Sequence, residues 1–95
     1  MPTSILIVED ESIVALHIRS SLTKLGYCVI GTCRSGEDAV EIAKKLGPEL
    51  VLMDIRLAGS IDGITATDEI RRQLAIPVIY LTAHADEKTL ERAKI

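Results

Sequence analysis

Acidic side chains follow directly on apolar runs at two points in this chain. Residues 5–8, "ILIV", lead into Glu9, Asp10 and Glu11, and residues 50–53, "LVLM", lead into Asp54. A buried carboxylate is costly unless something pairs with it. An apolar run that ends on one therefore implies an exposed strand end or a cation that meets it there. Three carboxylates held close together repel, which raises at least one pKa unless a cation intervenes. Oxygen donors at a shallow, partly hydrated site suit a small hard cation, and Mg²⁺ fits best. Strand-end carbonyls can add a donor, and Arg56 lies two residues beyond Asp54. A phosphate cradle of backbone N–H groups would place Gly, Ser, Thr or Lys after the first strand. Acids stand there instead, and the chain has no G-x-G-x-x-G, so it approaches a phosphate only through a metal.

These acids meet only if the elements that carry them are neighbours. Four short β-type runs are visible: Ser4 to Val8, Tyr27 to Cys33, Glu49 to Met53 and Pro77 to Leu81. Three are nearly continuous apolar runs, which suits strands covered on both faces in a parallel sheet. Helical patterns alternate with them. Ser12 to Leu25 carries Val14, Ile18, Leu22 and Leu25 on one stripe and is closed by Gly26. Ser35 to Leu46 opens on "SGED", an N-cap serine with an acid three residues on, and ends at Gly47-Pro48. Asp62 to Leu74 has Ala66, Thr67, Ile70 and Leu74 on one face, and a last helix is predicted from Asp86. The order βαβαβαβα predicts an α/β fold, a doubly wound parallel sheet with right-handed crossovers. Ligands of such sheets bind outside the carboxyl ends of the strands, near the switch in strand order. Those ends carry Glu9, Asp10 and Glu11, then Asp54, then Thr82 and Ala83. If the first and third strands are neighbours, Glu9, Asp10 and Asp54 share one rim.

Composition agrees with a single small domain of 95 residues. Apolar residues make up 47% of it, which argues against disorder, and with only two tyrosines the core must be aliphatic. Net charge is −3, from 11 basic and 14 acidic side chains, which argues against nucleic acid as a partner. No apolar run reaches the 18 or so residues of a membrane span. No basic segment precedes the first apolar run, so a signal peptide is not expected and a cytoplasmic location is. Cys28 and Cys33 lie five apart on one predicted strand, which would put them on opposite faces. No disulfide and no zinc site is expected of them, only reduced packing.

The pieces "ILIVEDE" (5–11), "GYCVIGTCRSGEDAVE" (26–41), "PELVLMDIRL" (48–57), "DGI" (62–64) and "IPVIYLTA" (76–83) cover essentially the whole chain. In that order and spacing, the sequence resembles the receiver domain of two-component response regulators. The resemblance implies a flavodoxin-like sheet and a phosphoprotein of a signalling phosphorelay. Asp54 would be the phosphoacceptor, attacking the phosphoryl group of a phosphohistidine on a sensor histidine kinase or phosphotransfer domain. Asp10 would ligate Mg²⁺ beside Asp54, with Glu9 supporting it through water and the carbonyl of Arg56 completing the protein's share. Thr82 would hydrogen-bond the phosphoryl oxygens and report the change. Phosphoryl transfer is mostly positioning and charge neutralisation, and this set of residues offers both. On this reading the chain catalyses transfer to its own Asp54 and is not a turnover enzyme.

Three departures stand beside the resemblance. The family has a fifth strand ending in a lysine followed by proline, then a fifth helix; the pattern through Ile95 contains neither. Residues 1–95 are thus expected to be a receiver truncated before the fifth strand, of order 2-1-3-4. Its bared fourth-strand edge "VIYL" would be covered by an unseen tail or used for a dimer. The loop after Asp54 has Ala58 where many members have proline. It looks one residue longer than usual, as in receivers attached to sensory or kinase modules. The absent lysine keeps open an alternative, a degenerate or truncated receiver that acts only as a protein-interaction module. Two enzyme readings fail on spacing. A phosphohydrolase with Asp10 as nucleophile needs an acid where Ser12 stands, and a nuclease-type D-x-D after the third strand meets Arg56 in its third place.

Overall fold

The strand at residues 4–8 is buried on both faces, and that is why its sequence reads as an unbroken apolar run. The computed structural model describes residues 2–55, 57 and 61–81. Its strands are β1 (Ser4–Val8), β2 (Cys28–Cys33), β3 (Leu50–Asp54) and β4 (Val78–Leu81). Its helices are α1 (Ser12–Lys24), α2 (Gly36–Leu46) and α3 (Gly63–Leu74). All three strand pairs are parallel, in the order β2-β1-β3-β4. This is the doubly wound order 2-1-3-4 that the alternation predicts. The helix predicted from Asp86 lies outside the described residues.

Leu6, Val8, Val51, Met53 and Val78 share one face of the sheet. They pack with Ala39, Val40 and Ala43 of α2 and with Ala66 and Ile70 of α3. Ile5 and Ile7 alternate to the other face, where α1 lies against β1 and β2. The distribution of helices follows from chain direction. The chain steps from β1 outward to β2, then back past β1 to β3 and on to β4. With one hand of crossover, that reversal moves the helices from one face to the other. It also makes the β1–β3 boundary the switch point of the sheet.

Capping sets the helix starts. The Ser35 hydroxyl accepts the Asp38 N–H at 3.1 Å, and the Asp62 carboxylate accepts the Thr65 N–H at 2.9 Å. Gly47, at φ 57°, closes α2 in the left-handed conformation that glycine tolerates best. Strand and helix boundaries agree with the sequence expectation to within one residue. Leu25, expected on the buried stripe of α1, caps that helix instead and is 73% exposed.

The cysteine expectation needs one correction. A register shift in the β1–β2 pairing makes Ile30 an extra residue, so Cys28 pairs with Ser4 and Cys33 with Val8. Those partners are four apart, which puts both cysteines on the same face despite their odd spacing. They remain about 13 Å apart along the strand, too far for a disulfide, and both are free thiols.

Candidate functional site

Strand register brings the acids together. β1 pairs with β3 so that Val8 stands opposite Met53. One step further, Glu9 faces Asp54 across the switch point. The Glu9 N–H donates to the Cys33 carbonyl at 2.9 Å, which extends the ladder with β2 and fixes Glu9 in place. Asp54 does not follow β3, as the sequence suggested, but is its last residue, paired with Leu81 of β4. Glu9 and Asp54 are buried, at 2% and 1% exposure, and Asp10 is half-buried. An exposed strand end is thereby excluded for Asp54. One carboxylate oxygen from each of Glu9, Asp10 and Asp54 lies within 4.8 Å of the others. Glu11 leaves the cluster: it occupies the N-cap position of α1 and is exposed.

Repulsion in this cluster is relieved by a proton. Burial pushes the Glu9 carboxyl up to about 8. Its hydrogen bond to Asp54 and the charges of Asp54, Asp10 and Glu11 act in the same direction. The shift favours a protonated Glu9 that donates to Asp54. A divalent cation is the other means of holding three carboxyl groups together. The donors are all hard oxygens, and an octahedral Mg²⁺ at about 2.1 Å sets its ligand oxygens roughly 3–4 Å apart. The three donor oxygens, within 4.8 Å of one another, lie close to that range, and as hard oxygen donors the residues fit such an ion. Two further residues implied for the site, Arg56 with its carbonyl and Thr82 with its hydroxyl, lie outside the described residues.

Three contacts around the cluster were not legible in the sequence. The Arg34 Nε donates to the Asp10 carbonyl at 3.3 Å and ties the β1–α1 turn to the β2–α2 turn. Glu37 Oε1 accepts the Ile61 N–H at 3.3 Å and anchors the segment after Asp54 to α2. The Gly63 N–H donates to the Ile55 carbonyl at 2.8 Å. "SGED" signals only a helix cap for α2, and "DGI" only the start of α3. Neither motif reveals a partner 24 residues away or across the sheet end.

The fold and site together define a doubly wound parallel α/β domain with a carboxylate cluster at its switch point. The response regulator receiver domain model matches residues 5–95, and the chain belongs to that family. It is 35% identical over 94 residues to the transcriptional regulatory protein PdtaR of Mycobacterium tuberculosis, covering 99% of this chain and 45% of the relative. Among solved structures it matches the signal receiver domain of a modulated diguanylate cyclase from Desulfovibrio desulfuricans G20. That match has a TM-score of 0.92 and 37% identity, and covers 99% of this chain and 75% of the other. It also matches the anti-anti-sigma factor PhyR of Bartonella quintana in complex with the anti-sigma factor NepR. There the TM-score is 0.77 and identity 34%, over 92% of this chain and 39% of the other. The chain spans less than half the length of the curated relatives it matches.

Proposed function

We propose that the chain is a phosphoacceptor domain of a two-component system, taking a phosphoryl group onto Asp54 from the phosphohistidine of a sensor histidine kinase or phosphotransfer domain. The observation that carries this reading is the convergence of Glu9, Asp10 and Asp54 at the switch point, with donor oxygens within 4.8 Å of one another. A carboxylate oxygen of Asp54 attacks phosphorus, the P–N bond of the phosphohistidine breaks, and the imidazole keeps the electron pair. Asp54 becomes an acyl phosphate. Asp10 and Asp54 are the proposed direct ligands of Mg²⁺, with Glu9 held behind them and the Arg56 carbonyl as a further donor. When bound, Mg²⁺ supplies the positive charge that offsets both the carboxylates and the phosphoryl oxygens. The burial of Asp54 excludes bulk water around the nucleophile and fixes its approach. Thr82 is the proposed hydroxyl donor to the phosphoryl oxygens. The new group adds up to about two negative charges beside β4, which is the kind of local charge change that biases a two-state segment.

On this proposal the protein acts in the cytoplasm and modifies only itself. Among the described residues, no helix is long and apolar enough to cross a membrane. The likeness to PhyR bound to NepR favours a second reading, a protein-interaction module whose partner binds without phosphoryl transfer.

One experiment separates the readings. The protein is incubated with Mg²⁺ and acetyl phosphate and its intact mass is measured. A single phosphoryl adduct that disappears in Asp54→Asn is the expected result. Release of phosphate without an adduct points to a turnover enzyme. No adduct on a folded protein overturns the phosphoacceptor reading in favour of the interaction module.

A further inference from the structure

Gly63 opens α3 at a place where no side chain fits. A Cβ there would overlap the carbonyl oxygen of Asp54 and stand 2.8 Å from both the Asp54 carbonyl carbon and the Ile55 Cα. All three are backbone atoms, so no change of rotamer relieves the overlap. The Gly63 N–H meanwhile donates to the Ile55 carbonyl at 2.8 Å. The first residue of α3 therefore lies flat on the peptide that follows Asp54, in contact with one carbonyl and bonded to the next. Asp62 caps the same turn through the Thr65 N–H, which keeps that turn from drifting.

We propose that Gly63 is a positioning residue for the acid site: its lack of a side chain lets α3 close onto the Asp54–Ile55 peptide and so holds the Asp54 carboxylate within reach of Glu9 and Asp10. This rests on the phosphoacceptor reading and adds a residue that touches neither cation nor phosphoryl group. Any side chain at 63 must push α3 away or displace the peptide that carries Asp54. Displacement moves one ligand out of the cluster.

Gly36 provides the internal control. It also is buried at a helix start, and a Cβ there would meet Ile61 Cγ1 at 2.7 Å, with Ile61 Cδ1 and the Ala66 Cβ both at 3.1 Å. The obstructions are side-chain atoms of Ile61 and Ala66 and not the backbone of β3, so alanine at 36 presses on the packing of α2 against α3 and reaches the end of β3 only indirectly.

Gly63→Ala and Gly36→Ala are compared with the wild type below their unfolding temperatures, by Mg²⁺ titration and by rate of phosphoryl uptake from acetyl phosphate. A misplaced ligand or nucleophile costs about 10- to 100-fold. We expect losses of that size in both readouts for Gly63→Ala, and clearly smaller losses for Gly36→Ala, whose clash is with side chains and not with the Asp54–Ile55 peptide. A folded Gly63→Ala with wild-type Mg²⁺ affinity overturns the proposal and leaves the phosphoacceptor reading standing. A wild type that binds Mg²⁺ but takes no phosphoryl group overturns that reading, while the affinities still decide on Gly63. If Gly63→Ala does not fold, amide exchange in the wild type decides. Coupling is reciprocal, so Mg²⁺ should slow exchange of the Gly63 amide more than that of Val40 in α2. Equal slowing at both overturns the proposal.

Discussion

α1 and α2 both carry apolar residues at helical spacing and use them differently. α2 buries Gly36, Ala39, Val40 and Ala43 against the sheet and α3. α1 buries only Ala15, and its Ile13 and Leu16 are 84% and 68% exposed. α2 starts on a serine cap and ends on a left-handed glycine, whereas the N-cap residue of α1, Glu11, makes no side-chain cap bond. The contrast locates the stability of the domain. The layer of α2 and α3 over β1 and β3 holds the closely packed core. α1 shields β1 and β2 thinly, and it begins within three residues of the acid cluster.

Core truncation tests this most strongly. Leu6 is fully buried on the α2–α3 face, and Leu6→Ala should cost about 2–5 kcal/mol in urea unfolding. Leu16→Ala on α1 should stay within about 0.5 kcal/mol. Similar costs at both positions would break the comparison.

The acid cluster adds a pH-dependent term on the thin side. The Glu9 carboxyl sits at about 8 in the folded protein against an ordinary 4.5, so the folded state holds an extra proton between those values. Metal-free protein, kept in EDTA, should be most stable below about pH 4.5 as far as this group is concerned. It should lose stability as pH rises toward 8, by no more than about 1.4 kcal/mol per pH unit. Glu9→Gln should flatten that slope. Because Glu9 leads into α1, exchange protection should fall earlier there than in α2. A loss that appears in both helices at once would blur the distinction between the two layers.

Capping gives a smaller effect. Ser35→Ala removes the bond to the Asp38 N–H and should destabilise by about 1 kcal/mol, measured by thermal unfolding. An unchanged melting point would mean that α2 owes its order to packing alone.

Much of this arrangement was legible beforehand, for reasons particular residues make plain. Unbroken apolar runs announced β1, β3 and β4, although among the described residues only β1 is buried on both faces, Leu52 of β3 being half-buried and Ile79 of β4 53% exposed. "SGED" and "GP" bracketed α2 because caps are local chemistry. Glu9, Asp10 and Asp54 could be brought together once alternation implied a parallel sheet. What stayed hidden is non-local. The exposure of Leu25 depends on where α1 ends, and an apolar stripe carries no record of that. The extra residue at Ile30 overrode the parity argument for Cys28 and Cys33 because a bulge leaves no clear mark in "CVIGTC". The bonds from Arg34 to Asp10 and from Ile61 to Glu37 each span 24 residues.

Thr67 is, among the described residues, the buried polar side chain on α3, and it gives the smallest and most discriminating test. It is 1% exposed, and its Oγ1 has no hydrogen-bond partner among the described residues. A buried hydroxyl without a partner costs free energy that an isosteric apolar group does not. Thr67→Val should therefore stabilise the domain by about 0.5–1 kcal/mol, which raises the melting point by a few degrees in a domain of this size. The same gain is not available on α1, where the polar residues are solvated. A fall in stability would show that the hydroxyl is satisfied in solution, and the α2–α3 layer would then depend on a polar contact as well as on apolar packing.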